Sequence, residues 1–130
     1  MQTMKKIFIL EGDGSSFMSL GTLPLIASEK PHNLFHIILD NQCYESTGGQ
    51  PSISSDVDIA GIADASGYSV SLRLGSLESL ELALSKYSTV SGPILLLLEC
   101  HQEQQENVPR VSYHPTDIRD TFKQMVNQID

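Results

Sequence analysis

The chain has 130 residues, of which 40% are hydrophobic and 18% are charged, a composition typical of one soluble globular domain with a buried core. Sixteen acidic against eight basic residues give a formal net charge of −8. This argues against nucleic acid or an anionic membrane as a partner, because either would need a basic face. An anionic small ligand is compatible with it, since backbone amides and a metal ion supply local positive charge.

Cysteine usage and the lengths of the apolar runs indicate a cytoplasmic protein. Cys43 and Cys100 fit no zinc-binding pattern and are predicted to be free thiols. The apolar run near the N terminus is too short for a signal peptide, and no later run approaches the ~20 residues of a membrane span. No repeat or linker interrupts the sequence, so we expect a single domain over residues 1–130.

The first third of the chain predicts a strand, a helix and a second strand. The run KIFIL is short and nearly all apolar, as in strands that are covered on both faces. The stretch from Ser15 to Lys30 has apolar residues at helical spacing, and Pro24 is expected to kink or restart that helix. The run LFHIIL predicts the next strand, in which His36 is most simply a packed core histidine.

The middle of the chain continues this alternation. Ser55 and Asp58 stand in capping-box spacing ahead of apolar residues, and Gly67 ends the pattern, which predicts a helix between them. The run SVSLRL predicts a strand, and the following segment SLESLELALSKY predicts a helix. The apolar stripe of that helix is expected at Leu77, Leu80 and Leu84.

Two further elements complete the pattern. The run PILLLLE predicts another buried strand. From about Pro115 an amphipathic helix is predicted, with its apolar face at Ile118, Phe122, Met125 and Ile129. Strands alternating with helices predict an α/β fold, here a three-layer α/β/α domain around a mainly parallel sheet. Ligands of such sheets bind beyond the carboxyl ends of the strands.

Two loops are expected at that end of the sheet, and the first contains an unusual carboxylate. In EGDGSS, Asp13 stands where a nucleotide-binding protein has a bare glycine turn. A dinucleotide fingerprint would need glycine at the position of Phe17, although Asp40 supplies the expected second-strand acid. Asp13 facing a pyrophosphate charge at ~4 Å would be repelled by roughly 4 kcal/mol at an effective dielectric of 20.

A divalent cation reverses the sign of that interaction. Mg²⁺ prefers oxygen ligands and is commonly held by one or two protein oxygens together with phosphate oxygens. We therefore predict that Asp13 binds Mg²⁺ and that a second oxygen comes from the strand end at Asp40 and Asn41. The backbone amides that open the following helix are predicted to hold a diphosphate, namely those of Gly14, Ser15 and Ser16.

Together the two loops resemble the diphosphate-binding motif of the thiamine-diphosphate enzymes. That motif reads Gly-Asp-Gly, some two dozen residues, and then a strand ending in Asn; here Gly12–Gly14 is followed by 26 residues and Asn41. The resemblance implies that the side chains of Asp13 and Asn41 and the backbone carbonyl of Cys43 bind Mg²⁺. Asp40 replaces the first residue of the Asn-Asn pair that often ends the motif, which is not the metal-binding one.

The segments LDNQCYESTGGQPS and PRVSYHPTDIRDTF look like the phosphonopyruvate and sulfopyruvate decarboxylase branch of that family. This implies a lyase that decarboxylates a 2-oxo acid with thiamine diphosphate and Mg²⁺. Phosphonopyruvate, converted to phosphonoacetaldehyde and CO₂, is favoured, and a sulfopyruvate decarboxylase β subunit is the alternative. The STGGQ loop either contacts cofactor or substrate or is a plain glycine turn, and Glu45 is either an acid–base group or an exposed loop acid. The residues expected to make the loop contacts are Ser46, Thr47 and Gln50.

The resemblance also indicates which groups a partner supplies. In the family, the glutamate that activates the aminopyrimidine belongs to a separate pyrimidine-binding domain, usually on another chain. The apolar residue that keeps the cofactor bent precedes the first strand, and only 11 residues precede Gly12. We therefore expect a domain truncated at its N terminus, homo- or hetero-oligomeric and inactive alone. The alternatives are a catalytically silent cofactor-binding or structural remnant and a dinucleotide-binding domain.

Overall fold

The computed structural model describes residues 5–101, 109 and 111–127. In chain order the elements are β1 (Ile7–Gly12), α1 (Asp13–Met18), α2 (Thr22–Glu29), β2 (Leu34–Asp40), β3 (Cys43–Tyr44), β4 (Gln50–Pro51), α3 (Ile59–Ser66), β5 (Val70–Leu74), α4 (Leu77–Lys86), β6 (Ile94–Glu99) and α5 (Pro115–Asn127). A 3₁₀ turn, Glu45–Thr47, lies between β3 and β4. No helix in these ranges is long and apolar enough to cross a membrane.

The main sheet consists of four parallel strands in the order β1-β2-β6-β5. The short strands β3 and β4 form a separate antiparallel pair. In the register, Gly12 lies beside Leu39 and Asp40 lies beside Glu99. The carboxyl ends of β1, β2 and β6 therefore meet at one edge, and both predicted ligand loops follow strands that end there.

Helices cover both faces of the sheet, which confirms the three-layer α/β prediction. On one face, Leu23 of α2 and Ile59 of α3 pack with Ile38 and Leu97 of the sheet. On the other face, α4 packs against the alternate strand residues, because successive side chains of a strand point to opposite sides. The central strand β6 is buried from Ile94 to Leu98, as its continuous apolar run predicts.

The edge strand β1 does not fit the prediction of a strand covered on both faces. Leu10 is 66% exposed and Phe8 is 51% exposed, although the Phe8 ring stacks on Phe35 with 5.2 Å between ring centroids. An edge strand has a neighbouring strand on one side only, and the helices described here leave these side chains accessible. The apolar run therefore identified the strand correctly but not its environment.

The predicted helix from Ser15 to Lys30 is two helices, and Pro24 is not the cause of the break. The chain turns at residues 19–21, and α2 begins at Thr22. Pro24 lies in the first turn of α2, where backbone N–H groups have no acceptor within the helix. Proline at that position removes no helical hydrogen bond, so the helix continues through it.

Two other helix predictions need correction at their N-terminal ends. Asp58, not Ser55, is the N-cap of α3, because residues 53–57 form a turn in which the carbonyl of Ile53 accepts from the amides of Asp56 and Val57. The end at Gly67 is confirmed, with a φ of 108° that favours glycine. In α4, Leu77 is 70% exposed and lies off the apolar stripe, whereas Leu80 and Leu84 pack on the core.

The amphipathic helix α5 is present as predicted but none of its described residues is buried. Ile118, Phe122 and Met125 are exposed by 48%, 61% and 62%. Ile129 lies outside the described residues. The apolar stripe that sequence periodicity predicts is therefore an exposed face of the described structure.

Candidate active site

Asp13 is the first residue of α1 and follows β1 without an intervening loop. Its side chain is 1% exposed, so the alternative of an exposed turn acid is wrong. The hydroxyl of Ser52 donates a short hydrogen bond to its Oδ2. Gly12 before it is extended, with φ −89° and ψ 159°, so the chain passes from strand to helix within one residue. This abrupt turn buries the carboxylate at the carboxyl edge of the sheet.

A second buried carboxylate, Asp40, ends β2 and is also 1% exposed. Its Oδ1 accepts from the hydroxyl of Ser54 at 2.7 Å and from the amide of Gln42 at 3.1 Å. The hydroxyl oxygens of Ser52 and Ser54 are 3.2 Å apart. Two buried serines thus connect Asp13 to Asp40 across the edge of the sheet.

The positive charge of Arg73 balances this acid pair only in part. Asp40 Oδ2 has no hydrogen-bond partner within the described part of the chain, and Arg73 Nη1 lies 3.9 Å from it. Arg73 also contacts Glu99 at 3.2 Å and Asp58 at 3.6 Å. Burial lowers the pKa of Arg73, but the hydrogen bond that Arg73 donates to Glu99 and the charges of Asp58, Glu99 and Asp40 outweigh this effect and raise the pKa. One guanidinium is therefore shared by three carboxylates.

Gly14 lies directly under the ring of Tyr44. A Cβ at Gly14 would be 2.6 Å from both Cδ1 and Cε1 of that ring, a distance that real Cβ contacts do not reach. The ring of Tyr44 therefore leaves room only for glycine at position 14, the second glycine of the Gly-Asp-Gly motif. It also covers the first turn of α1, which is predicted to hold the diphosphate.

Asn41 forms an Asx turn at the end of β2. Its Oδ1 accepts from the amide of Cys43 at 3.2 Å, and its Nδ2 donates to Glu45 Oε2 at 3.1 Å. An amide oxygen has two lone pairs, so this turn is compatible with the predicted role of Asn41 as a metal ligand. Glu45 is exposed, in line with the loop-acid alternative, and accepts that hydrogen bond at the surface.

Cys43 would contribute through its backbone carbonyl. Burial raises the pKa of its thiol, and the charges of Glu45 and Asp13 raise it further, so the thiol is protonated at neutral pH. Cys43 and Cys100 are both free, as predicted.

The remaining predicted cofactor residues lie in two different environments. The hydroxyls of Ser15 and Ser16 donate to the carboxylate oxygens of Glu11 at 3.3 and 2.8 Å. The groups of α1 that remain for binding an anion are therefore the backbone amides. Ser46 and Thr47 lie in the exposed turn between β3 and β4. Their predicted contact with the cofactor stays a prediction.

Sequence reasoning missed the residues that hold the acid pair. Ser52 and Ser54 are alternate residues in PSIS, on either side of the bend at Ile53 that follows β4. That alternation is the one available signal, and serine pairs of this kind are common in loops. Tyr44 lies within the segment LDNQCYESTGGQPS, but neither its type nor that of Arg73 indicated a contact with the site.

The donor atoms fit Mg²⁺. Among the described residues no three His, Cys, Asp or Glu side chains converge on a metal position. Mg²⁺ does not need such a cage, because it is usually bound by one or two carboxylates with waters and phosphate oxygens. Asp13, Asn41 and the carbonyl of Cys43 supply carboxylate, amide and backbone oxygens, and Asp40 Oδ2 accepts no hydrogen bond from any described residue, although Arg73 lies 3.9 Å away.

Comparison with known proteins identifies the family. The model of the thiamine pyrophosphate (TPP) enzyme C-terminal TPP-binding domain matches residues 1–98. The chain belongs to this family. TPP is thiamine diphosphate, so the match confirms the resemblance that the Gly-Asp-Gly motif indicates and decides against a dinucleotide-binding domain.

The relatives of this TPP-binding domain are decarboxylases. It is 34% identical over 128 residues to phosphonopyruvate decarboxylase of Streptomyces hygroscopicus, covering 98% of this chain and 32% of the relative. It is 34% identical over 90 residues to the sulfopyruvate decarboxylase β subunit of Methanothermobacter thermautotrophicus, covering 69% of this chain and 46% of the relative. It is 29% identical over 124 residues to the β subunit of Methanococcus maripaludis, covering 95% of this chain and 66% of the relative. The TPP-binding domain therefore spans about a third of the phosphonopyruvate decarboxylases it matches.

Solved structures share the fold. A chain from Mycobacterium smegmatis assigned to the thiamin diphosphate-dependent enzymes superposes with a TM-score of 0.63 at 23% identity, over 75% of this domain and 18% of that chain. Transketolase from Campylobacter jejuni superposes with a TM-score of 0.58 at 21% identity, over 73% of this domain and 15% of the transketolase chain. The parallel sheet and its helices thus have the architecture found in TPP enzymes.

Proposed function

We propose that this chain is the diphosphate- and Mg²⁺-binding part of a thiamine-diphosphate-dependent 2-oxoacid decarboxylase. The names of the relatives support the reaction class. Phosphonopyruvate is the favoured substrate, because the match to phosphonopyruvate decarboxylase combines 34% identity with 98% coverage of this chain. The corresponding values for the β subunit of Methanococcus maripaludis are 29% and 95%, and sulfopyruvate is the alternative substrate.

The buried acid pair is the observation that carries the metal-binding part of the proposal. Asp13 and Asp40 are each 1% exposed and are linked through two serines, while the guanidinium of Arg73, near Asp40, is shared with two other acids. Buried carboxylates are strongly unfavourable unless paired or bound to a metal. A divalent cation held by Asp13, Asn41 and the carbonyl of Cys43 would supply the missing positive charge.

Each of these residues has a separate task toward the cofactor. Asp13, fixed by Ser52, holds the cation that neutralises the diphosphate, and the amides of Gly14–Ser16 bind the diphosphate oxygens. Tyr44 covers Gly14 and restricts access of water to that turn. When bound, thiamine diphosphate supplies the carbon nucleophile for the keto carbon and the electron sink for decarboxylation. The protein residues described here orient the cofactor and do not take part in bond cleavage.

A pyrimidine-binding domain or subunit is expected to complete the active site. Two kinds of relative support this: single proteins of which this chain spans 32%, and proteins named β subunits. In the proposal, the activating glutamate comes from that companion, so the chain is oligomeric in its active form and inactive alone.

The test is a calorimetric titration with thiamine diphosphate, in Mg²⁺ and then in EDTA, on the wild type and two isosteric variants. Asp13→Asn should weaken binding roughly tenfold or more, in the range found when groups supporting a bound metal are removed. Asp64→Asn, at an exposed position of α3, is the matched control and should bind like the wild type. Equal affinity and equal Mg²⁺ dependence of wild type and Asp13→Asn would contradict the metal assignment.

A further inference from the structure

A second polar cluster, formed by Glu11, His36 and Tyr68, lies next to α1 and takes no part in the proposed metal site. His36 of β2 is 3% exposed and Tyr68, which follows α3, is 5% exposed. His36 Nε2 is 2.6 Å from Glu11 Oε1, and His36 Nδ1 is 3.1 Å from the hydroxyl oxygen of Tyr68. Ile9 is the register neighbour of His36, and Glu11, two residues further along β1, points to the same face of the sheet.

The chemistry of the three groups sets the direction of each hydrogen bond. An ionised carboxylate only accepts, so the Nε2 of His36 donates to Glu11. In a neutral imidazole the other nitrogen then accepts, and it accepts from the hydroxyl of Tyr68. Burial raises the pKa of Tyr68, and the charge of Glu11 raises it further, which keeps that hydroxyl protonated. With a neutral ring, this arrangement corresponds to the Nε2–H tautomer of His36, between a donor and an acceptor.

Glu11 connects this buried pair to α1. Its Oε1 accepts from the hydroxyl of Ser16 at 2.8 Å, and its Oε2 accepts from that of Ser15 at 3.3 Å. The N-cap residue Gly12 has no side chain and makes no side-chain cap bond. In this six-residue helix, the contacts of Glu11 with Ser15 and Ser16 tie the first turn to β1, in addition to the hydrogen bond between Ser52 and Asp13.

We propose that Glu11 and His36 are positioning residues that fix the orientation of Ser15 and Ser16, and with them the first turn of α1. The proposal rests on the proposed function, because that turn is the one assigned to the diphosphate. It extends that function by making the diphosphate site depend on a chain of contacts that begins at Tyr68, at the C-terminal end of α3, and crosses β2 and β1.

The first test needs no cofactor. Nitrogen-15 NMR of the wild-type chain should show His36 as the Nε2–H tautomer, and backbone relaxation should give order parameters of about 0.85 at Ser15 and Ser16, as in rigid structure. His36→Leu should lower these order parameters to about 0.6 or less. His36→Gln, whose side-chain amide can still donate to Glu11, should restore them.

Ser71→Ala is the matched control for a general loss of stability. It removes a 2.6 Å hydrogen bond from Ser71 to the carbonyl of Ala60, near α3 but outside the cluster, and should leave the order parameters of Ser15 and Ser16 unchanged. If His36→Leu does not fold, Glu11→Ala serves instead, because Glu11 is partly accessible at the surface. An unchanged first turn in the folded variant, or an equal loss in Ser71→Ala, overturns the proposal.

The second test measures the affinity for thiamine diphosphate with Mg²⁺. Glu11→Ala and His36→Leu should weaken it roughly tenfold, in the range seen when outer-shell groups are removed, and Ser71→Ala should not change it. Wild-type affinity in the two cluster variants overturns this inference and leaves the proposed function intact. Absence of metal-dependent binding by the wild type overturns the proposed function, and with it the role of the cluster toward diphosphate.

Discussion

Both the sequence motif and the local packing require glycine at position 14. The ring of Tyr44 occupies the space that a side chain at Gly14 would need. The glycine is therefore fixed by an aromatic residue of a later strand as well as by the close approach expected of a diphosphate. Its backbone conformation lies in the helical segment α1, so a special φ angle is not the reason for it.

We expect Gly14→Ala to lower the free energy of unfolding by about 1–3 kcal/mol, the usual result of forcing an extra methyl group into a packed site. Urea denaturation of Gly14→Ala and of the control Gly21→Ala measures this, since a Cβ at Gly21 meets nothing within 4 Å. Introducing Gly14→Ala into a Tyr44→Ala background should remove most of the penalty. Equal stability of the two single alanine variants would refute the steric explanation.

The sequence motif locates the candidate ligands but not the residues that hold them. Asp13 and Asn41 were predictable, because their types and spacing match a known motif. Ser52 was not, because it is 39 positions from Asp13 along the chain and contacts it only after β3 and β4 have folded back over α1. His36 was correctly predicted to be packed in a strand, but its partners Glu11 and Tyr68 depend on strand register and on the end of α3.

At the scale of elements, apolar runs predicted all four strands of the main sheet, although only β2 and β6 are buried along nearly their whole length, as a strand covered on two faces requires. Helix ends were less predictable. A proline and a potential capping box indicate where a helix is allowed to begin, and tertiary contacts decide between allowed sites. Ser54, for example, contacts Asp40, and the turn that brings it there delays the start of α3.

The capping box of α4 provides a test at this scale. Ser76 accepts from the amide of Ser79 at 3.1 Å, and Ser79 Oγ accepts from the amide of Ser76 at 3.2 Å. We expect Ser76→Ala to lower the free energy of unfolding by about 1 kcal/mol. Denaturant titration measures it, and Ser55→Ala, an exposed serine that caps no helix, should change stability by less than about 0.5 kcal/mol.

For the whole molecule, the family resemblance predicted the α/β fold class, and it assigns the predicted metal-binding half-site to the carboxyl edge of the sheet. Apolar periodicity did not predict that β1 and α5 expose these side chains, because it shows that a face is apolar and not what covers it. The resemblance predicts a companion pyrimidine-binding domain or subunit but does not identify it, since the activating glutamate lies outside the motif present in this chain.

The pH dependence of global stability provides another test. The pKa of Tyr68 is raised, chiefly by burial and then by Glu11, above the ordinary value of about 10. Below that value the phenol is protonated in both states and its contribution to stability is complete. As the pH rises further, the unfolded chain loses the proton first, so the free energy of unfolding falls, by up to about 1.4 kcal/mol per pH unit from this group.

Urea unfolding between pH 9 and pH 12 should therefore show a shallower decline for Tyr68→Phe than for the wild type. Tyr113→Phe changes an exposed tyrosine, 73% accessible, and should retain the wild-type slope. Cys43 and Cys100, whose thiol pKa values are also raised by burial, contribute equally in all three proteins. Parallel slopes for wild type and Tyr68→Phe would show that the phenol is not protected in the folded state.

The order of the strands has a consequence for synthesis on the ribosome. β6 emerges after the other strands of the main sheet, yet it lies between β2 and β5. Until it leaves the exit tunnel, β5 has no neighbour in the sheet, and β2 has only β1. Folding of this domain during translation therefore waits for a late segment, and the nascent chain must remain without a closed core until residues 94–99 are free.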